Sequence, residues 1–433
     1  MNPISNLARL RGPRTWRAPR PLTTRLALPA DRLDSGLQFS EILLLAVLFF
    51  ASFLSISYPL FGFHLHHSFL NHSALFLFAP VFVLHYLGQL LNQRVAPGMQ
   101  IMAVCWPLIC LALYALVGSS FAKWDAGLDD TYLTFGIYLL LLPVYAASMP
   151  VQADRVRAWS LMLILIWILA STAALVGEAT RFGTPGSLHE IEYVVATGFF
   201  AMYYAVRSLS LKFLALLMLV AAAVLNAKLT GYIVLTLALL HVVITVGWRR
   251  LPANWRTLYG AGALAFAVAV SCVLAVLYFE FREFLPSGNP DVRLAQYETA
   301  WREFLASPVW GNAYLKGSGE TFNAGYGRLY IPTHSDVLDI LKHGGLIGFV
   351  LFAWGYCKVF ALIHAAVKAT VGQRLVNAYF MSLRFFQVTA LATFMLNPLL
   401  LKGPFLVVIW GNLGFGIGLA LAMRNRTTQA APP

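Results

Sequence analysis

The chain has 433 residues, of which 59% are apolar and only 11% charged, with a mean hydropathy of +0.70. An ordinary globular domain carries roughly 25% charged residues, so this composition excludes a soluble enzyme and points to an all-α integral membrane protein. The net charge of +13 reads as membrane topology and attraction to anionic lipid, not as nucleic-acid binding.

Residues 1–40 hold seven arginines against Asp31 and Asp34. The two aspartates, and the lack of a small-residue cleavage site ahead of a long apolar run, argue for an uncleaved cytoplasmic tail. About twelve apolar runs follow, most of them long enough to cross roughly 30 Å of hydrocarbon as helix. They lie near 41–62, 73–90, 97–118, 131–149, 157–176, 191–206, 211–227, 229–247, 258–279, 337–364, 376–397 and 403–423. The closely spaced pair around Lys228 also suits a re-entrant segment. Runs within 41–279 precede one large loop, 280–333; those within 334–423 follow it, and 424–433 is a second tail.

Basic residues set the orientation. With the first tail inside, alternate connections hold Arg94, then Arg155 and Arg157, Arg207 and Lys212, Arg249, Arg250 and Arg256, Lys368 and Arg374, and Arg424 and Arg426. The opposite short connections hold only Lys123, Arg181, Lys228 and Lys402. The positive-inside rule therefore places both termini in the cytoplasm and the large loop outside.

Cys105, Cys110, Cys272 and Cys357 all fall in predicted spans and read as packing residues. His64, His66, His67 and His72 lack an accompanying carboxylate or cysteine, so they read as interfacial side chains, and no metal is expected. Arg384 lies several residues inside a span on the cytoplasmic half, where snorkelling is the expectation.

The loop at 280–333 carries too many aromatics for disorder. Within it, 291–305 has Leu294, Tyr297, Ala300, Trp301 and Phe304 at helical spacing, with Arg293 and Arg302 off that stripe, predicting an amphipathic helix. Five glycines within 311–327 predict a flexible or sharply turning lid. The next run opens on Ile331-Pro-Thr-His-Ser-Asp336. Thr333 and Asp336 form a T-x-x-D capping signal that places His334 at the first helical position. The positive end of the helix dipole would there favour neutral imidazole, the form a general base needs.

The order Arg293, Trp301, Ser307-Pro308, Gly311, His334 opening a helix, then Gly345-Leu-Ile-Gly348, resembles the signature of the O-antigen ligase and polymerase superfamily. The resemblance covers 291–350 and, through the topology, the whole chain. It implies a fold like the type-C glycosyltransferases and a site on the periplasmic face of the bacterial inner membrane. Two departures stand out: Ser335 replaces the usual asparagine after the histidine, and Leu229-Thr230-Gly231 with Lys228 stands where the family often has Ser-Arg-Gly. Polymerases of the family tend to have an arginine ten residues removed from a glycine in each of two large loops; at that distance Arg181 and Arg293 meet Glu192 and Phe304. The resemblance thus leans to the ligase, which moves polysaccharide from undecaprenyl diphosphate to the lipid A core. It points to His334 as base and Arg293 as diphosphate partner, with no cofactor; Arg302, Arg181 and Lys228, on the same outer side, are further candidates for the diphosphate clamp. A polymerase is the sister alternative, and a transporter or flippase of lipid-linked sugar the alternative from another class.

Overall fold

The computed structural model describes residues 98–122, 132–149, 153–180, 192–226, 229–250, 290–316, 320–323, 328–331, 333–397, 399–400 and 403–429, with isolated positions in 80–87 and 252–265. The run expected at 41–62, the tail 1–40, the four histidines of 64–72 and Cys272 lie outside these residues, as do the runs expected at 73–90 and 258–279 apart from those isolated positions.

The described helices are α1 (Gly98–Ser120), α2 (Leu133–Leu140), α3 (Leu142–Ala147), α4 (Ala153–Thr180), α5 (Glu192–Ala205), α6 (Leu209–Asn226), α7 (Leu229–Arg250), α8 (Pro290–Ala306), α9 (Asp336–Ala369), α10 (Arg374–Phe394) and α11 (Gly403–Gln429). Segments of α1, α4, α9 and α11 are each long and apolar enough to cross a membrane. Large apolar side chains also face outward, among them Leu113, Val117, Leu165, Leu169 and Val350. A surface of this kind needs lipid, not water, as its solvent, and the chain is a membrane protein.

The single run expected at 131–149 is two helices. Pro143, at the start of α3, has no N–H to return to the preceding turn. The N–H of Leu141 is instead shared between the carbonyls of Ile137 and Tyr138 at 3.3 and 3.2 Å.

The core is built around α11, whose residues from Phe405 to Met423 are all buried. Small residues admit its neighbours: a Cβ on Gly414 or Gly418 would strike α3, and one on Gly416 would strike Leu383 of α10. Asn412 turns inward on the same helix and accepts from Trp167 Nε1 at 3.0 Å. The Trp167 ring stacks on Tyr379 and Phe386, so α4, α10 and α11 are locked together through one indole.

Of the segment expected to be a lid, Gly311–Tyr314 is packed tightly against α9, with Tyr314 fully buried. Farther on, β1 (Glu320–Asn323) pairs antiparallel with β2 (Arg328–Ile331), Glu320 opposite Ile331. The lid expectation is corrected for these parts.

Candidate active site

Helix α9 is not continuous. Gly345 has φ 59° and ψ −161°, which breaks the helix between a short leading piece and a long apolar one. The segment 308–314 fills the break. Leu346 N–H donates to Pro308 O at 2.8 Å and Ile347 N–H to Val309 O at 3.2 Å, while Asn312 and Tyr314 N–H donate to Lys342 O and His343 O at 3.1 and 3.2 Å. The backbone groups orphaned by the break are thereby satisfied. Gly311 also has a positive φ of 63°, and a Cβ on it would lie 2.6 Å from the His343 carbonyl carbon. A Cβ on Gly345 would meet Val309 O at 2.4 Å. Pro308, Gly311 and Gly345 are therefore the two sides of one interlock. The space beside Gly345 is filled by loop backbone, and the Tyr314 hydroxyl lies against Gly344.

Asn312 stabilises this turn: its Oδ1 accepts from Tyr314 N–H at 3.1 Å and lies 2.8 Å from His343 Nδ1. Ala313 and Tyr314 adopt positive φ with no glycine to ease it. Tyr114 of α1 donates to Trp310 O at 2.6 Å. Burial raises the Tyr314 phenol well above its ordinary value, with Tyr114 and Asp339 adding to the effect. Glu303 near the end of α8 lies 3.5 Å from the buried Lys342 and 3.7 Å from Lys316. The result is a rigid platform joining α8 to the leading piece of α9.

His334 stands at the start of that piece, in a position different from the one expected. Ser335 is the N-cap, extended at φ −163° with its hydroxyl accepting from Leu338 N–H, and Asp336 is the first helical residue. His334 therefore precedes the cap and does not occupy the first turn. Thr333 is buried. The expected capping role of Asp336 is also corrected: its buried carboxylate accepts from the N–H groups of Leu399 at 2.8 Å and Leu400 at 3.2 Å. A serine has the side chain to cap here, and the aspartate is freed to hold the α10–α11 connection.

The imidazole is half-buried. Its Nδ1 lies 2.9 Å from Gln296 Oε1, and its carbonyl accepts from Tyr297 Oη at 3.0 Å. A carboxamide oxygen only accepts, so in the neutral ring Nδ1 carries the hydrogen and Nε2 the lone pair. Gln296 is 3% exposed and was not identified from sequence.

At about 100° per residue, Arg293, Gln296, Tyr297, Ala300 and Phe304 share one face of α8, and Gln296, Ala300 and Phe304 are its buried members. The expected stripe is shifted accordingly: Leu294 and Trp301 are 54% and 48% exposed. Arg293 is half-buried one turn before the histidine's partner, on the packed face and not off it. Arg302 lies on the far face and is exposed. Arg181 and Lys228 lie outside the described residues. Close to the latter in sequence, Thr230 at the start of α7 accepts from Asn397 Nδ2 at 3.1 Å. The start of α7 thus meets the same α10–α11 connection that Asp336 holds.

Two cations inside the described spans are engaged. Arg384, expected to snorkel, reaches His364 Nδ1 at 3.1 Å and Met381 Sδ at 3.5 Å. Lys358 donates to Ala103 O at 2.7 Å and lies over the Trp106 and Trp354 rings.

Residues 213–353 match the family model described as O-antigen ligase. The matched stretch runs from α6 across the break in α9 and contains Arg293, Gln296, the interlocked glycines and His334. No curated protein matches the chain.

Proposed function

We propose, from the membership of this chain in the O-antigen ligase superfamily, that it is a glycosyltransferase acting on a lipid-linked glycan at the membrane surface. The observation that carries this reading is the Gln296–His334 contact, which supports a neutral imidazole with Nε2 as its acceptor. In the proposed step Nε2 takes the proton of the acceptor hydroxyl and the oxygen attacks the anomeric carbon. The bond from that carbon to the diphosphate oxygen breaks, and the lipid diphosphate leaves. A single displacement inverts the anomeric centre. A positioned base contributes about 10²–10⁴-fold.

The departing diphosphate needs cations. Arg293 suits this role, since it lies on the face of α8 that meets His334 and its guanidinium can hold a phosphate through two parallel N–H bonds. Arg181 and Lys228 remain candidates for the same clamp. Arg302 points the other way, which favours a solvated face for it. With arginine neutralising the phosphates, the reaction needs neither nucleotide nor resident metal.

The donor we propose is undecaprenyl-diphosphate-linked polysaccharide and the acceptor lipid A core, with about twelve spans, the loop at 280–333 on the periplasmic face of the bacterial inner membrane and both termini cytoplasmic. A polymerase would run the same chemistry with a second lipid-linked glycan as acceptor. A flippase is less favoured, because the intramembrane cations Lys358 and Arg384 are tied to protein partners.

Lipopolysaccharide banding in a deletion strain tests the reading. Loss of every polysaccharide-bearing band, restored by the wild-type gene but not by His334→Ala at equal expression, is the outcome expected of the ligase. A core carrying one repeat would identify the polymerase, and unchanged banding would reject both.

A further inference from the structure

A second site lies at the far end of α9 from His334. Here a cavity of about 730 Å³ opens between the ends of five helices, within the roughly 300–1,000 Å³ of ordinary ligand clefts. Its wall takes Tyr203 and Tyr204 from the end of α5, Lys212 from the first turn of α6, Val367 from the end of α9, and Arg374 and Met381 from α10. Since α9 begins two residues after His334 and Val367 falls in its last turn, the helix length separates this cavity from the candidate active site.

The chemistry of the wall is specific. Among its described residues are two cations and no carboxylate. Both cations are held in place: Lys212 Nζ lies 5.2 Å from the Tyr203 ring centroid, and Arg374 donates to the Ala205 carbonyl. Tyr204 Oη is fixed by His241 Nε2 at 2.8 Å. Val367, Val371 and Met381 supply an apolar side, Val371 is exposed, and Leu209, Leu211 and Phe213, neighbours of Lys212 in the first turns of α6, are exposed as well. Phosphate-binding cations, tyrosines and an adjoining apolar surface make up the pattern of a lipid headgroup site at a membrane interface. Arg207 in the α5–α6 connection and Lys368 in the last turn of α9 add to the positive field on this side.

We propose that this cavity binds an anionic phospholipid, its phosphate between Lys212 and Arg374 and the start of its acyl chains along Val367 and Met381. The occupant belongs to the leaflet away from His334, so the site is structural or regulatory and independent of the transfer reaction. A soluble phosphate ester shares the headgroup chemistry but has nothing to place against the apolar side.

The purified full chain in detergent would be titrated with phosphatidylglycerol, phosphatidylcholine and glycerol 3-phosphate in parallel, with bound lipid counted by native mass spectrometry and thermal stability followed. Phosphatidylglycerol is expected to bind and raise the Tm, with phosphatidylcholine and glycerol 3-phosphate much weaker. Lys212→Ala leaves the Arg374–Ala205 contact intact, so it should weaken phosphatidylglycerol binding by roughly tenfold, the loss of one charge-assisted hydrogen bond, without unfolding the protein. Adding Arg374→Gln should remove the preference over phosphatidylcholine, and His334→Ala should leave lipid binding unchanged. Equal binding of the two lipids by the wild type, or full phosphatidylglycerol binding by Lys212→Ala, overturns the proposal. Glycerol 3-phosphate binding as tight as the lipid would assign the site to a soluble phosphate and overturn the lipid reading.

Discussion

Gln296 Oε1 and His334 Nδ1 lie 2.9 Å apart, joining a buried residue in the middle of α8 to the turn that opens α9. Everything proposed for the histidine passes through this pair, because the carboxamide oxygen decides which ring nitrogen keeps its lone pair. Four predictions follow from this pair and the framework that holds it.

His334→Ala should be made at wild-type level and lose transfer altogether. Gln296→Leu should lower the turnover rate by about 10–100-fold, as loss of an orienting partner does at other histidine sites, with KM nearly unchanged. Gln296→Glu keeps an acceptor at the same place and should recover part of the rate with an altered pH profile. Full activity in Gln296→Leu would show that the contact does not set the imidazole.

Arg293→Lys keeps the charge but loses the planar fork, and should lower activity by at least about tenfold through weaker donor binding. Arg302→Ala, on the exposed face, should stay within about twofold of wild type. Donor affinity and single-turnover rate measured for both variants decide this; equal effects of the two substitutions would return Arg293 to the solvated face.

Gly345→Ala and Gly311→Ala should each destabilise by roughly 1–3 kcal/mol or more, combining a positive φ with a backbone collision. Gly372→Ala is the control, since a Cβ there meets nothing within 4 Å. Thermal unfolding in detergent should separate the first two sharply from the third.

Asp336→Ala should cost about 2–4 kcal/mol, since the N–H groups of Leu399 and Leu400 lose a charged acceptor in a buried place. Asp336→Asn retains an acceptor and should fall between this and wild type. If Asp336→Ala matched wild type in thermal stability, the carboxylate would not be what holds the α10–α11 connection.

Parts of this architecture were legible in the sequence for simple reasons. A helix crossing lipid must be a long apolar run, so the runs at 97–118, 157–176, 337–364 and 403–423 fall on long helices. The order Pro308, Gly311, Gly345 was visible too, but not that these residues touch, because contact between a loop and a helix break some thirty residues away leaves no local pattern. The break itself was hidden because residues on both sides of Gly345 continue the helix in composition. The phase of α8 was misjudged through Leu294 and Trp301, two large apolar residues that in a membrane protein face outward at no penalty. Gln296 was silent, since a glutamine in a polar helix acquires its role only from what packs on it. Asp339 and His343, four apart and 4.0 Å from each other at Oδ1 and Nε2, are a polar pair in an apolar run that sequence reading passed over.

The repaired break in α9 also implies an order of assembly. Four backbone hydrogen bonds to residues 308–314 close it, and a buried backbone group left unpaired costs free energy comparable to a lost hydrogen bond. The helix therefore inserts cheaply only if its patch is already at hand. Residues 308–314 leave the ribosome before α9 does, so the chain emerges with the patch ahead of the gap. A circular permutant that moved this segment behind α9 would have to form the broken helix before its patch existed.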